Sequence, residues 1–171
     1  QQEVAVGYED LVKRGYTTKQ ALGALTTEVQ ASVASGDKFS DVTTVSSQVL
    51  DAFGMRAKDT GTMLKNTKRV VNELAYSADA TSTGFSDLGT AMSYVGTAAK
   101  ANNISLAETS SALGVLSNNG LESDKAGTAL RATINGLTNQ INKIGTKNSI
   151  FTKLGIKKSE MLDAHGNLKG L

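Results

Sequence analysis

Residues 126–144 read AGTALRATINGLTNQINKI, and this stretch carries the most regular apolar pattern in the chain. Its large apolar residues recur at intervals of 4, 3, 4 and 3, at Leu130, Ile134, Leu137, Ile141 and Ile144. That spacing is the a/d rhythm of a helix that packs along another helix. It lasts about two heptads, which is short for a sustained coiled coil. The stretch therefore predicts an amphipathic helix with one apolar seam.

Helix signals continue toward the N-terminus. Residues 17–20 and 105–108 have the capping-box spacing, in which a Thr or Ser side chain and a Gln or Glu side chain satisfy free backbone amides. Gly36 and Gly54 follow apolar runs and predict helix ends. We expect an all-α chain of about six short to medium helices, in a bundle or helical array. A short turn or hairpin is expected at residues 163–167.

Apolar residues at helical spacing also predict the buried face of each helix. The first predicted face carries Leu22, Leu25, Val29 and Val33. The faces that follow carry Val42, Val45, Val49 and Phe53; Met63, Val70, Leu74 and Ala78; and Phe85, Leu88, Met92, Val95 and Ala99.

The composition favours close helix packing over a rigid enzyme core. Ala, Gly, Ser and Thr make up 72 of the 171 residues, and small side chains bury little area each. We therefore expect helices that approach closely and depend on one another or on a partner. Cysteine is absent, which excludes disulfides and thiolate metal sites. Proline is absent too.

Charge is nearly balanced overall, at +2, but unevenly distributed. Basic residues concentrate in 56–69 and 143–158, whereas residues 73–124 contain six acids and only Lys100. A solvated helix face is the simplest interpretation of these blocks, and contact with DNA or with the wall of a charged tube is the alternative. No apolar run approaches the roughly 20 residues that cross a bilayer.

No catalytic constellation stands out. His165 is the single histidine, and its Gly/Asn-rich surroundings predict a solvated turn residue. Glu122 and Asp124 lie at a helix start, where acids stabilise the positive end of the helix dipole. We expect no catalytic, cofactor-binding or metal-binding residues, and no small-molecule substrate.

Several segments, in order along the chain, resemble the core domain of the tape measure proteins of long-tailed phages. The likeness is closest over residues 71–139 and extends to 53 and 168. The segments are NELAYSADATST at 72–83, LGTAMSYVG at 88–96, SLAET at 105–109, GVLSNNG at 114–120, AGTALR at 126–131, LGI at 154–156 and DAHGNL at 163–168. AGTALR, which fits the family's AGTxLR pattern, is the most specific. The family often has a proline after the leucine that ends this helix; none exists here, so we expect the helix to run on through Gln140 to Ile144.

The resemblance implies a non-enzymatic, multi-copy rod in the lumen of the phage tail. Such a rod sets tail length while tube subunits assemble around it in the host cytoplasm, and it leaves ahead of the DNA on infection. Implied partners are the tail tube protein, distal tail or baseplate hub proteins, tail assembly chaperones, and the host membrane and DNA during ejection. The implied organisation is an N-terminal helical segment at 1–56, the tape measure core domain at 57–147 and a basic, irregular closing segment at 148–171.

Packing and assembly are the expected roles of the residues on the last helix. Gly127, with its small neighbours, would let another helix come close, and Arg131 could pair with Glu122 or Asp124. The seam also favours self-association through helices. The full set of expected packing or assembly residues is Ala126, Gly127, Thr128, Leu130, Arg131, Ile134, Leu137, Ile141 and Ile144.

Two other functions fit parts of the sequence. A flagellin-like axial or secreted filament protein would also be helical, free of cysteine and rich in small residues. A peptidoglycan-cleaving enzyme is a third hypothesis, but the chain lacks the histidines of a metal site. The start at Gln1 and the end at Leu171 suggest a fragment of a longer protein.

Overall fold

The computed structural model describes residues 2–121 and 123–170, with side chains from Val4 onward. These residues form helices and turns and contain no strand. The helices are α1 (Gln2–Lys13), α2 (Thr18–Ser35), α3 (Phe39–Ala52), α4 (Thr60–Asp79), α5 (Phe85–Ala101), α6 (Leu106–Asn118), α7 (Ser123–Asn142), α8 (Ile150–Lys153) and α9 (Lys158–Met161). The all-α prediction is confirmed, although the described residues hold seven long helices rather than six, followed by two single turns.

The helix ends follow the local signals in the sequence. Both predicted capping boxes form: the Thr17 hydroxyl accepts from the Gln20 amide at the start of α2, and Ser105 and Glu108 do the same for α6. Gly36 ends α2 in the left-handed conformation, with φ of 76°. Helix α1 was not located from the sequence, because its valines follow no clear helical stripe.

The long helices lie in two rows. Within the series α1 to α7, consecutive helices pack against each other, and so do helices that are two places apart. The odd-numbered helices therefore form one row and the even-numbered helices a second row beside it. This nearest-neighbour pattern is that of a helical array, in which stacked helix pairs share one continuous core.

The core runs through the array without a break. It joins Val42 and Leu50 of α3 to Leu74 of α4 and Phe85 of α5, and it continues to Ile134 of α7. Helices on both sides of the predicted boundary at residue 57 thus pack on each other, and the boundaries at 57 and 148 stay predictions about the parent chain.

The buried face of α2 differs from the predicted one. Leu22 and Val33 are exposed, at 56% and 79%, and Leu25 and Val29 are half-buried. The helix instead turns its small residues and two polar ones inward, namely Gln20, Ala21, Ala24, Glu28 and Ala31. The prediction was wrong because a small-residue face allows α2 to approach its neighbours more closely than a leucine stripe would. The faces predicted for α3 and α5 are confirmed.

The closing segment is more ordered than predicted. Beyond α8 and α9, residues 163–167 form the predicted turn, which is closed by an antiparallel bridge between Leu162 and Leu168. The Asp163 amide donates to the Asn167 carbonyl at 2.8 Å. Leu168 is buried, so the turn is anchored to the core.

Candidate assembly surface

The face of α7 that carries the AGTALR segment packs against α5, and this is the most extensive helix contact in the molecule. Ala126, Gly127 and Leu130 are buried, as are Ile134 and Ile141 further along the helix. The seam predicted from the sequence is therefore occupied inside the chain.

Gly127 is the point of closest approach between α7 and α5. A Cβ atom placed on this residue would overlap the carbonyl oxygen of Ala91 and lie 2.9 Å from its Cα atom. Because backbone cannot move aside as a flexible side chain can, only glycine fits this contact. The residue does what the small neighbours Ala126 and Ala129 suggested: it lets a helix come close.

Thr128 and Arg131 lie on the other side of α7 and are exposed. Arg131 lines a shallow groove between α5 and α7 with Tyr94 and Asn135. Among the described residues Arg131 forms no ion pair with Asp124, and Glu122 lies outside those residues. Any assembly role of these two side chains would involve contacts outside the chain.

The end of α7 departs from the predicted run to Ile144. The helix ends at Asn142, after which the Lys143 amide donates to Gln140 and the Ile144 amide to Ile141, three residues back. Gly145, with φ of 98°, then reverses the chain. Ile144 and Leu137 are half-buried at the rim of the core.

Glycines recur at the contacts within each row. Five glycines of the described residues lie where an added Cβ would clash with a neighbour along the row. Four of them meet a helix two places away, and Gly114 of α6 meets Thr81, which lies just after the end of α4. The pairs are Gly7 with Phe39, Gly23 with Leu64, Gly89 with Val45, Gly114 with Thr81, and Gly127 with Ala91. Close packing was predicted from the sequence at Gly127, but the recurrence of glycine along the rows is seen only once the helices are arranged in space.

An apolar groove of about 620 Å³ runs between α6 and α7. Ala112, Val115 and Leu116 line it from α6, and Ala129 and Leu130 from α7. The groove was not predicted from the sequence, because it forms only where two helices lie side by side. Most of the side chains that line the groove are apolar.

A buried polar cluster lies at the other end of the array. Glu28 is fully buried, and its Oε1 atom accepts a hydrogen bond from the Ser46 hydroxyl at 3.0 Å. Within the described residues its Oε2 atom, the Tyr16 hydroxyl and the Ser47 hydroxyl have no hydrogen-bond partner of good geometry. Burial raises the pKa of Glu28 to about 7, against the opposing effects of the Ser46 hydrogen bond, Arg14 and Arg56. Burial also raises the pKa of Tyr16.

The next titratable groups are those of the closing turn, His165 and Asp163. His165 is exposed in the closing turn, where its backbone amide donates to Asp163. Hydrogen bonds from the Asn167 backbone lower the pKa of Asp163. The described residues bring together no group of metal-ligating side chains, and none of their helices is long and apolar enough to cross a membrane.

Helices that lie side by side in two rows, with glycine at the closest approaches, define the class of protein: an all-α packing module. The chain belongs to the family of phage-related minor tail proteins, which it matches over residues 1–171. It is also 27% identical to the tape measure protein of Pneumococcus phage Dp-1, over 97% of this chain. It spans 13% of the length of that relative. None of the solved structures matches the chain.

The family match supports a tape measure-related, virion-associated tail protein, as the AGTALR and GVLSNNG segments suggested. It does not favour the flagellin-like alternative.

Proposed function

We propose that this chain is a non-enzymatic segment of a tape measure protein that helps to set tail length inside the tail tube. The observation that carries the proposal is the similarity to a tape measure protein along 97% of the chain. In the proposed role the tail tube protein assembles around the parent chain in the host cytoplasm, with distal hub proteins and assembly chaperones as further partners. The parent chain then leaves the tube ahead of the DNA and contacts the host membrane.

The array suits a ruler because its contacts are local. Each helix depends on neighbours one and two places along, so the rows can open progressively from an end. Placed end to end as a continuous helix, the 171 residues would span about 260 Å. In that extended state the seam from Leu130 to Ile144 would become free for a helix of another copy.

Placement in the tube can be tested by cross-linking from the exposed side of α7. A photoreactive amino acid at Arg131 of the parent protein should cross-link to the tail tube protein in purified virions, because this side chain faces away from the core. The same group at Ile134, which is buried in the folded array, should cross-link to other chains only if the array has opened in the tail. Cross-links confined to external tail or capsid proteins would contradict a place in the lumen.

The absence of enzymatic activity has its own test. Purified chain incubated with peptidoglycan should leave it intact, since the described residues bring together no metal-ligating group that could activate water for hydrolysis. Release of soluble fragments above a heat-treated control would overturn this part of the proposal.

A further inference from the structure

In the array each long helix from α3 onward packs on the two helices that precede it. This pattern indicates where a further helix would bind beyond α7. Helix α4 rests on α2 and α3, and α6 rests on α4 and α5. By the same rule, the next even-row position lies on α6 and α7. That position is the apolar groove lined by Val115, Leu116 and Leu130.

Exposed large aliphatic side chains lie toward the two ends of the array. Among the described residues every exposed large aliphatic side chain lies in α1 or α2, or from α6 onward. They are Val4, Val6, Val12, Leu22 and Val33 at one end, and Val115, Leu121, Ile150 and Leu154 at the other. Terminal repeats of a stable solitary array need a polar outer face, whereas α2 and the α6–α7 groove expose aliphatic side chains.

Helix α2 carries an aliphatic stripe that is only partly used in packing within the chain, where Leu25 contacts the core. Leu22, Leu25, Val29 and Val33 recur at helical spacing, yet the structure leaves two of them exposed and two half-buried. Exposed aliphatic residues at this spacing are typical of a helix that packs against an apolar groove. The stripe thus has the form that the α6–α7 groove would accept.

We propose that copies of this chain associate head to tail, with α2 of one copy seated in the α6–α7 groove of the next. The contact would continue the even row from α6 into α2 of the second copy, and the odd row from α7 into its α1. The closing turn brings Gly170 beside Glu108 at one end of the groove, and residues 112–116 remain open to the second copy. Because the two surfaces differ, the contact is heterologous and extends into open chains rather than closed dimers.

The inference does not rest on the tape measure role, and a test uses the 171-residue chain by itself. Sedimentation velocity from micromolar to near-millimolar concentration should show a mass that rises with concentration. Val33→Asp and Val115→Asp place a charge in opposite halves of the contact, and each should weaken association at least about tenfold. Both side chains are exposed, so the fold should be retained, which circular dichroism checks. Tyr76→Asp is the matched control, an exposed apolar side chain in the middle of the array.

Mixing the two variants distinguishes this contact from a symmetric one. In an equimolar mixture the intact groove of Val33→Asp can bind the intact α2 of Val115→Asp, so a two-chain species should form and grow no further. A wild-type chain that stays monomeric at every concentration would overturn the inference. So would loss of association in only one of the two variants, or equal loss in Tyr76→Asp.

Discussion

Glu28 is the residue whose chemistry depends most on the fold around it. Three elements pack against α2 at this point, and they contribute Arg14 at the end of α1, Ser46 of α3 and Thr67 of α4. Arg56 in the α3–α4 connection stacks over the Tyr16 ring, with its guanidinium carbon 4.6 Å from the ring centre, and is paired with Asp51. The carboxyl group therefore has one hydrogen bond and only distant positive charge to offset its burial.

Burial of Glu28 predicts a defined pH dependence of stability. Its pKa is about 7 in the folded chain and 4.5 when exposed, so the unfolded chain loses this proton first as pH rises. The free energy of unfolding should fall between pH 4.5 and 7, by about 3 kcal/mol from this group, and level off above pH 7. Urea unfolding of wild type and Glu28→Gln across this range measures the difference.

Glu28→Gln should lack that component, so its stability relative to wild type should increase with pH within the window. Glu9→Gln, on an exposed side chain of α1, should follow wild type closely. Parallel pH profiles for wild type and Glu28→Gln would show that the pKa of this carboxyl group is the same in the folded and unfolded chains, which would contradict the shift.

A second prediction concerns the effect of substituting Gly127 on the stability of the chain. Gly127→Ala forces a methyl group against the Ala91 backbone, and the α5–α7 contact must widen. The free-energy cost of this overpacking exceeds the gain in helix propensity from glycine to alanine. The free energy of unfolding should therefore fall by about 2 kcal/mol. Gly136→Ala is the matched control on the same helix, since its Cβ would meet nothing within 4 Å. It should stabilise the chain by up to about 1 kcal/mol, and equal effects of the two variants would contradict the close contact.

At the scale of the helices, local signals in the sequence located most boundaries correctly. The capping boxes and glycine stops act through backbone groups within a few residues, so they do not depend on tertiary contacts. Buried faces were predictable where the apolar stripe faces the core, as in α3 and α5. In α2 the prediction failed because close packing selected the face of Ala21 and Ala24 over the face of Leu22.

The apolar seam of α7 also shows what the sequence pattern of one helix cannot predict. Its spacing identified the correct face, but spacing alone cannot say whether the partner helix belongs to the same chain. The partner proved to be α5, with Thr138 Oγ1 of α7 donating to Asn102 Oδ1 at 2.7 Å. The α6–α7 groove depends on two helices together, so neither helix predicted it.

The capping box of α6 gives a prediction at this scale. The Ser105 hydroxyl accepts from the Glu108 amide at 3.1 Å, and the Glu108 carboxylate accepts from the Ser105 amide at 2.9 Å. Ser105→Ala should cost about 1 kcal/mol in urea unfolding. Ser111→Ala, at an exposed position of the same helix, should change stability by about 0.5 kcal/mol or less. A loss at Ser111 as large as that at Ser105 would point to a general effect of alanine.

At the scale of the whole molecule, local contacts connect two rows of helices, and the proposed ruler role requires these rows to open into an extended chain. In the row contacts a glycine allows two helices to come close, and large apolar side chains such as Leu130 and Ile134 of α7 are buried beside it. The composition suggested such packing, but the alternation of odd and even helices is a property of the assembled chain.

The most direct test of a ruler function is the tail length of phage that carry altered parent genes. In-frame deletion of residues 85–118 removes α5 and α6 together, 34 residues in all. If this segment adds helical length to the ruler, electron microscopy should show tails shorter by about 50 Å, and duplication of the same residues should lengthen them equally. Tails of unchanged length in both variants would contradict the proposed function.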